Sequence, residues 1–152
     1  MTKLNNIINQ LLNEFSGGET YFDKLDETLR SPENLDIIIN LFSPLSDAHV
    51  IMSGKFGYYA LELFDKGLIP LKSLIVVNGG LRKGEVEKID VRFMEDQVGY
   101  VFVDDSFYKG RTRDKVEEFL KIFNCFLAQT RVIYDGSPEK DKNVFSMYRY
   151  HS

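Results

Sequence analysis

Three chemically versatile residue types are nearly missing from this chain of 152 residues, which has one cysteine, two histidines and no tryptophan. Cys125 alone can form neither an intramolecular disulfide nor a multi-cysteine metal site, and His49 and His151 are the only imidazoles, so a structural zinc is excluded. Long apolar runs are lacking too. None approaches the roughly 18 to 20 residues that span a bilayer, and the N-terminus lacks the charged, apolar, small-residue order of a signal peptide, so the expectation is a cytoplasmic protein without membrane contact. A surplus of positive charge is also missing. Lys and Arg total 19 against 23 Asp and Glu, a formal net charge of −4. With a pI of about 5.2, the chain has no general attraction to phosphate backbones or anionic lipid, which argues against broad nucleic-acid binding.

What is present is ordinary globular material: 43% hydrophobic and 28% charged residues, with 12 Phe and 8 Tyr to build a core. No linker, repeat or low-complexity stretch divides the chain, so residues 1–152 are read as one domain with a helical segment over 1–44. Leu4, Ile7, Ile8, Leu11, Leu12 and Phe15 share one helical face behind a Thr2 cap, and Ser16-Gly17-Gly18 ends that helix. Thr20 caps a second helix carrying Tyr21, Phe22, Leu25 and Leu29. Ser31-Pro32 opens a third, which carries Leu35, Ile38, Ile39 and Phe42 and stops at Ser43-Pro44.

The period then changes. Residues 48–52 form a short apolar strand, Ser53-Gly54-Lys55-Phe56-Gly57 a glycine loop, and Ala60, Leu61 and Phe64 a helix ending at Lys66-Gly67. Leu71 to Val77 reads as a buried strand ended by Asn78-Gly79-Gly80. Ile89, Val91 and Phe93 alternate with Lys88, Asp90 and Arg92 as in a half-exposed strand. Val98 to Val103 is a further strand closed by Asp104-Asp105. A helix from about Thr112 presents Val116, Phe119, Leu120 and Phe123, and Arg131 to Tyr134 is the fifth strand. Strands alternating with helices predict a three-layer α/β fold around a mainly parallel sheet of about five strands, with a ligand site at the carboxyl ends of those strands.

The segment richest in chemistry runs from Tyr100 to Thr112, YVFVDDSFYKGRT. Adjacent carboxylates at the end of a buried strand repel each other and lose solvation, which a fold tolerates more readily when a cation or sugar hydroxyls meet them. A loop with a glycine, a hydroxyl and two cations follows at a helix N-terminus, where free amides and the helix dipole favour phosphate. The plainer alternative is that Asp104 and Asp105 end a strand and cap the next helix, balanced by Lys109 and Arg111 at the surface.

In its full order, apolar strand, two acids, short loop, then Gly110 and Thr112, this segment resembles the phosphoribosyl-pyrophosphate (PRPP) motif of type I phosphoribosyltransferases. Element order extends the resemblance over about residues 48 to 135, although only the motif itself is specific. It implies a phosphoribosyltransferase-like fold. It also implies that Asp104 and Asp105 hold the ribose hydroxyls with Mg²⁺ nearby, and that Tyr108, Lys109, Gly110, Arg111 and Thr112 line the 5′-phosphate. Ser53, Gly54, Lys55 and Phe56 resemble the family's pyrophosphate loop, whose alternative reading is an ordinary tight connection. Asn78 to Gly84, with Arg82 and Lys83, is similar in position to its flexible basic flap, although a solvated hairpin turn has the same composition. Two positions depart from the family: Lys109 stands where a threonine is usual, and Tyr108 where several purine enzymes carry an aspartate.

The reaction so implied is displacement of pyrophosphate from C1 of PRPP by a nitrogenous base, with Lys55, Arg82 and Lys83 facing the leaving group and a homodimer as the assembly. A second reading is a non-catalytic protein of the same fold that binds PRPP or a nucleotide and acts through a partner. A third, in which the acids are the Mg²⁺ site of a receiver-like or phosphohydrolase domain, ranks lower because those folds place their acids after an early strand. The hood that selects the base would come from the helices before residue 44 and the tail after 138. Elsewhere, Cys125 reads as a buried small hydrophobe and His49 as structural. The aromatic tail from Phe145 to His151 can stack on a base, but a terminal strand or an interface is the stronger expectation.

Overall fold

The computed structural model describes residues 2–15, 18–80, 85–107, 110–138, 141 and 143–149. Three helices come first: α1 (Thr2–Phe15), α2 (Gly18–Arg30) and α3 (Leu35–Phe42), with 3₁₀ turns at Pro32–Asn34 and Ser43–Leu45. α2 begins at Gly18, before the expected cap, so Thr20 lies inside the helix. Its Tyr21, Leu25 and Leu29 recur every fourth residue and are all buried. Asn34 Nδ2 donates to Thr28 O at 2.7 Å, which holds the turn between α2 and α3. Tyr134 Oη donates to Asn9 Oδ1 at 2.8 Å, which ties α1 to the sheet.

The remaining elements are β1 (His49–Ser53), α4 (Gly54–Asp65), β2 (Ser73–Gly80), β3 (Glu85–Arg92), β4 (Gly99–Phe107), α5 (Arg111–Ile122), β5 (Phe126–Asp135) and β6 (Val144–Arg149). They form one six-stranded sheet in the order β3-β2-β1-β4-β5-β6. All neighbours are parallel except β2 and β3. The α/β architecture agrees with the sequence, with one strand more than the five expected. The sixth is the tail, where Tyr134 pairs with Tyr148 and Asp135 with Arg149.

Alternation along the strands divides the core in two. Val50, Met52, Leu74, Val76, Val101 and Val103 pack with residues of α1 to α4. Ile51, Ile75, Val77, Tyr100 and Phe102 pack with Val116, Phe119 and Leu120 of α5, and Cys125 is buried among them as expected. Helices thus cover both faces, which a mostly parallel sheet requires.

Three local expectations are corrected. There is no loop between β1 and α4: Gly54 turns the chain in one residue at φ +68° and is already the first residue of the helix. β4 does not stop at its acids. Asp104 pairs with Val132, Ser106 with Tyr134 and Phe107 with Asp135, because ladder hydrogen bonds depend on backbone and not on side-chain polarity. In β3 the alternation is real, yet Ile89 and Val91 are exposed and Asp90 and Arg92 are the half-buried partners.

Candidate functional site at the ends of β1 and β4

Chain direction through the sheet reverses between β1 and β4. From β1 the chain crosses by α4 to β2 on one side, and from β4 by α5 to β5 on the other. Open α/β sheets form a crevice at such a switch point, beyond the carboxyl ends of the strands. Here the two strands pair only at Val50–Val101 and Ile51–Phe102. Past those pairs lie Ser53 and Gly54 on one side and the acids on the other.

On the β4 side, Asp104 and Asp105 are half-buried. Asp104 Oδ1 accepts from the Asp105 amide at 2.8 Å, and Asp105 Oδ1 accepts from Ser106 Oγ at 2.9 Å. Burial raises the pKa of the Asp105 carboxyl, the hydrogen bonds from Ser106 and Asp104 partly oppose this, and the negative charge of Asp26 on α2 adds to it. Among the described residues no cation is ion-paired with Asp105. Gly110 then caps α5 at φ +74°, a conformation natural to glycine, and its carbonyl accepts the first helical bond from Asp114 at 2.9 Å. The amides of Arg111 and Thr112 lie in the first turn, where the helix leaves donors without intrahelical partners. Arg111 is exposed and Thr112 half-buried.

On the β1 side, Ser53 is the extended cap of α4 and makes no side-chain cap bond. A side chain built on Gly54 would meet nothing within 4 Å, so this corner is open. Lys55 is not simply a solvated cation: its Nζ pairs with Asp23 of α2. Phe56 is buried with its ring centroid 6.4 Å from that of Phe42, so it can offer a ligand only its backbone. Arg82, Lys83, Tyr108 and Lys109 lie outside the described residues.

The structure therefore brings Ser53, Gly54 and Lys55 to one end of the sheet together with Asp104, Asp105, Gly110, Arg111 and Thr112. Two groups were not legible as site residues. α2 contributes Asp23, Asp26 and Arg30; the Arg30 guanidinium spans Asp26 at 3.1 Å and Glu62 of α4 at 3.4 Å. The Asp26–Arg30 pair is local to α2, but nothing local ties the helix to the site, because Lys55 and Glu62, which Asp23 and Arg30 meet, lie 32 residues further along the chain. In the first turn of α5, Arg113 stacks 4.9 Å over the Phe107 ring and pairs with Asp141 at 2.7 Å. Asp135, fully buried, accepts from the amide and hydroxyl of Ser137 and faces Arg149 at 3.4 Å. The Asp-Gly-Ser order at 135–137 is a turn signal that could have identified that corner. These contacts hold the crossover at 136–143, which is shorter than the dozen or so residues usual between parallel strands.

The same architecture occurs in solved structures. The orotate phosphoribosyltransferase from Aeropyrum pernix superposes with a TM-score of 0.56 and 17% identity, over 80% of this chain and 75% of that one. The adenine phosphoribosyltransferase from Thermoanaerobacter pseudethanolicus gives 0.54 and 10%, over 83% and 86%. That from Rhodothermus marinus gives 0.50 and 12%, over 82% and 84%. No protein-family model matches the sequence, and no curated protein matches it significantly. At these identities the likeness is one of fold: the chain has the phosphoribosyltransferase fold, as its motif implied.

Proposed function

We propose that this protein binds PRPP with Mg²⁺ and transfers its phosphoribosyl group to a nitrogenous base, releasing pyrophosphate. The observation that carries this reading is the acid pair of β4 at the switch point, followed in the chain by the N-terminus of α5. That corner offers acceptors for ribose hydroxyls beside donors for a phosphate.

In the reaction, a base nitrogen forms a bond to C1 of the ribose while the bond from C1 to pyrophosphate breaks, through a transition state of oxocarbenium character. Asp104 and Asp105 accept hydrogen bonds from the ribose hydroxyls and fix the sugar. The amides from Gly110 to Thr112, with Tyr108 and Lys109, hold the 5′-phosphate. The amides from Ser53 to Phe56, with Lys55, Arg82 and Lys83, hold the leaving pyrophosphate, and α1 to α3 form part of the hood over the base. A half-buried acid pair with Asp105 lacking a described cationic partner suits Mg²⁺, which binds through one or two carboxylates together with substrate oxygens and water. The ion would supply charge neutralisation of the pyrophosphate.

The pairing of Lys55 with Asp23 favours one other reading, a non-catalytic protein that binds PRPP or a nucleotide and signals through a partner. In that case the cation facing pyrophosphate serves to fasten α2. Thermal unfolding with Mg²⁺ alone and with Mg²⁺ plus PRPP, on the parent and on Asp104→Asn/Asp105→Asn, tests the site. PRPP at a hundred times its dissociation constant adds about 2.7 kcal/mol to the parent and nothing to the variant. Absence of a shift at millimolar PRPP refutes binding. A shift without pyrophosphate release across a panel of purine and pyrimidine bases refutes the transferase and leaves the binding protein.

A further inference from the structure

Three alternate residues of β3 reach α4. Arg92 meets Asp65, the last residue of that helix, at 3.1 Å. Asp90 lies beside Tyr58, and Lys88 stands with its Nζ 5.9 Å from the centre of the Tyr58 ring. The series runs toward the N-terminus of α4, and the sheet register agrees: Val77 of β2 pairs with Ser53, the cap of α4, and Asn78, one residue further, pairs with Lys88. Past that pair the register shifts, with Gly79 opposite Val86, so β3 carries one extra residue, Glu87, next to Lys88. Bulges of this kind re-aim a side chain and gather beside functional sites.

The same place holds two buried polar atoms that make no hydrogen bond among the described residues, Tyr58 Oη and Asp90 Oδ2. Lys88 Nζ is 3.7 Å from Asp90 Oδ2, an ion pair too long to be a hydrogen bond. Burial and the facing Asp90 carboxylate push the Tyr58 hydroxyl up to about 12, so it remains a proton donor at neutral pH. One carboxylate oxygen therefore has two donors within reach and is hydrogen-bonded by neither.

We infer that Lys88 is an exchangeable cation for the pyrophosphate end of PRPP, and that the Tyr58 hydroxyl takes its place on Asp90 when it leaves. The inference rests on the PRPP reading and adds to it one binding residue, Lys88, and one positioning residue, Tyr58. On this side of the crevice Lys55 is held by Asp23, and Arg30 by Asp26 and Glu62. Lys88 is exposed and gives up only a loose contact. A helical side chain leans back over the turn before it, so the Tyr58 ring covers the turn that begins at Gly54. A cation over that ring stands beside the α4 amides proposed for the same anion. Its departure would leave Asp90 Oδ2 buried and unpaired, a cost that the Tyr58 hydroxyl offsets by turning to donate.

Calorimetric titration of the full chain with pyrophosphate in Mg²⁺ and, separately, with ribose 5-phosphate tests it. Lys88→Gln weakens pyrophosphate binding about tenfold, the loss expected for one charge-assisted hydrogen bond, and leaves ribose 5-phosphate binding unchanged. Tyr58→Phe removes the replacement donor and weakens pyrophosphate binding about threefold. Asp90→Asn loosens Lys88 and strengthens pyrophosphate binding, a gain that damage to the fold cannot produce. Lys88→Gln with the parent's pyrophosphate affinity, or with both ligands weakened equally, overturns the role of Lys88. Asp90→Asn that binds no more tightly, or Tyr58→Phe that binds as the parent does, overturns the exchange. A parent that binds ribose 5-phosphate but not pyrophosphate overturns this inference alone, and one that binds neither overturns the PRPP reading together with it.

Discussion

At the amino end of β1, His49 is enclosed by partners. Its Nδ1 shares a 2.7 Å hydrogen bond with the buried Ser73 hydroxyl, its Nε2 lies 3.3 Å from Glu95 Oε2, and its ring is 5.5 Å from that of Tyr100. The Tyr100 hydroxyl both donates to Glu95 O and accepts from its amide, and the Cys125 thiol points to the same carbonyl. At the carboxyl end of the neighbouring β4, Asp105 is half-buried, destabilised as an anion by burial and by Asp26, and has no described cation paired with it. Both ends bury polar side chains. At one end the polar groups pair with one another inside the fold; at the other a carboxylate is held where burial and a like charge disfavour its anion and no described cation stands beside it, the contrast expected between a core and a candidate ligand site.

Removing a polar group should therefore act with opposite sign at the two ends. The largest effect is expected for His49→Ala, which leaves the Ser73 hydroxyl unpaired in the interior and opens space beside Tyr100. A loss of about 3 kcal/mol in urea unfolding follows from those two terms, and a loss below about 1 kcal/mol would erase the contrast. Asp105→Asn should instead raise the Tm at neutral pH. The folded protein holds the Asp105 proton more tightly than the unfolded chain does. As pH rises, the unfolded state ionises first, so stability declines from the ordinary carboxylate range up to the raised folded value and stays reduced above it. The variant lacks this decline, so its advantage is full at neutral pH and disappears under acid. An advantage that grows on acidification would contradict the assignment. The smallest effect is expected for Asp23→Asn, whose pair with Lys55 is half exposed. Its loss costs less than about 1 kcal/mol in stability, while calorimetry with PRPP should show tighter binding, because one anion competing for Lys55 is gone. Unchanged affinity would remove Lys55 from the phosphate site.

Much of this was legible because it is local. The recurrence of Leu25 and Leu29, the proline-opened turn before α3 and the apolar runs of β1 and β2 each reflect neighbours within a few residues. So does the order of acids, glycine and threonine that marks the candidate site. What was not legible depends on partners far along the chain. Lys55 reads as a free cation until α2 folds back and presents Asp23. The acids read as the end of β4 until β5 supplies ladder partners through Asp135. The tail reads as a terminal strand or an interface, and the open edge of β5 decides for the strand, which then buries Asp135 against Arg149. β3 has the alternation of a half-buried strand, but its position at the rim leaves its apolar side uncovered.

By itself, then, the sequence determined the helices, the strand cores and the chemical types gathered in the motif, since caps, periodicity and turn preferences act over one or two turns of chain. Tertiary structure decided which of those charges are already spoken for, how far the strands run and which faces remain open. Ion pairing, ladder formation and burial are set by residues that meet only when the chain has closed on itself.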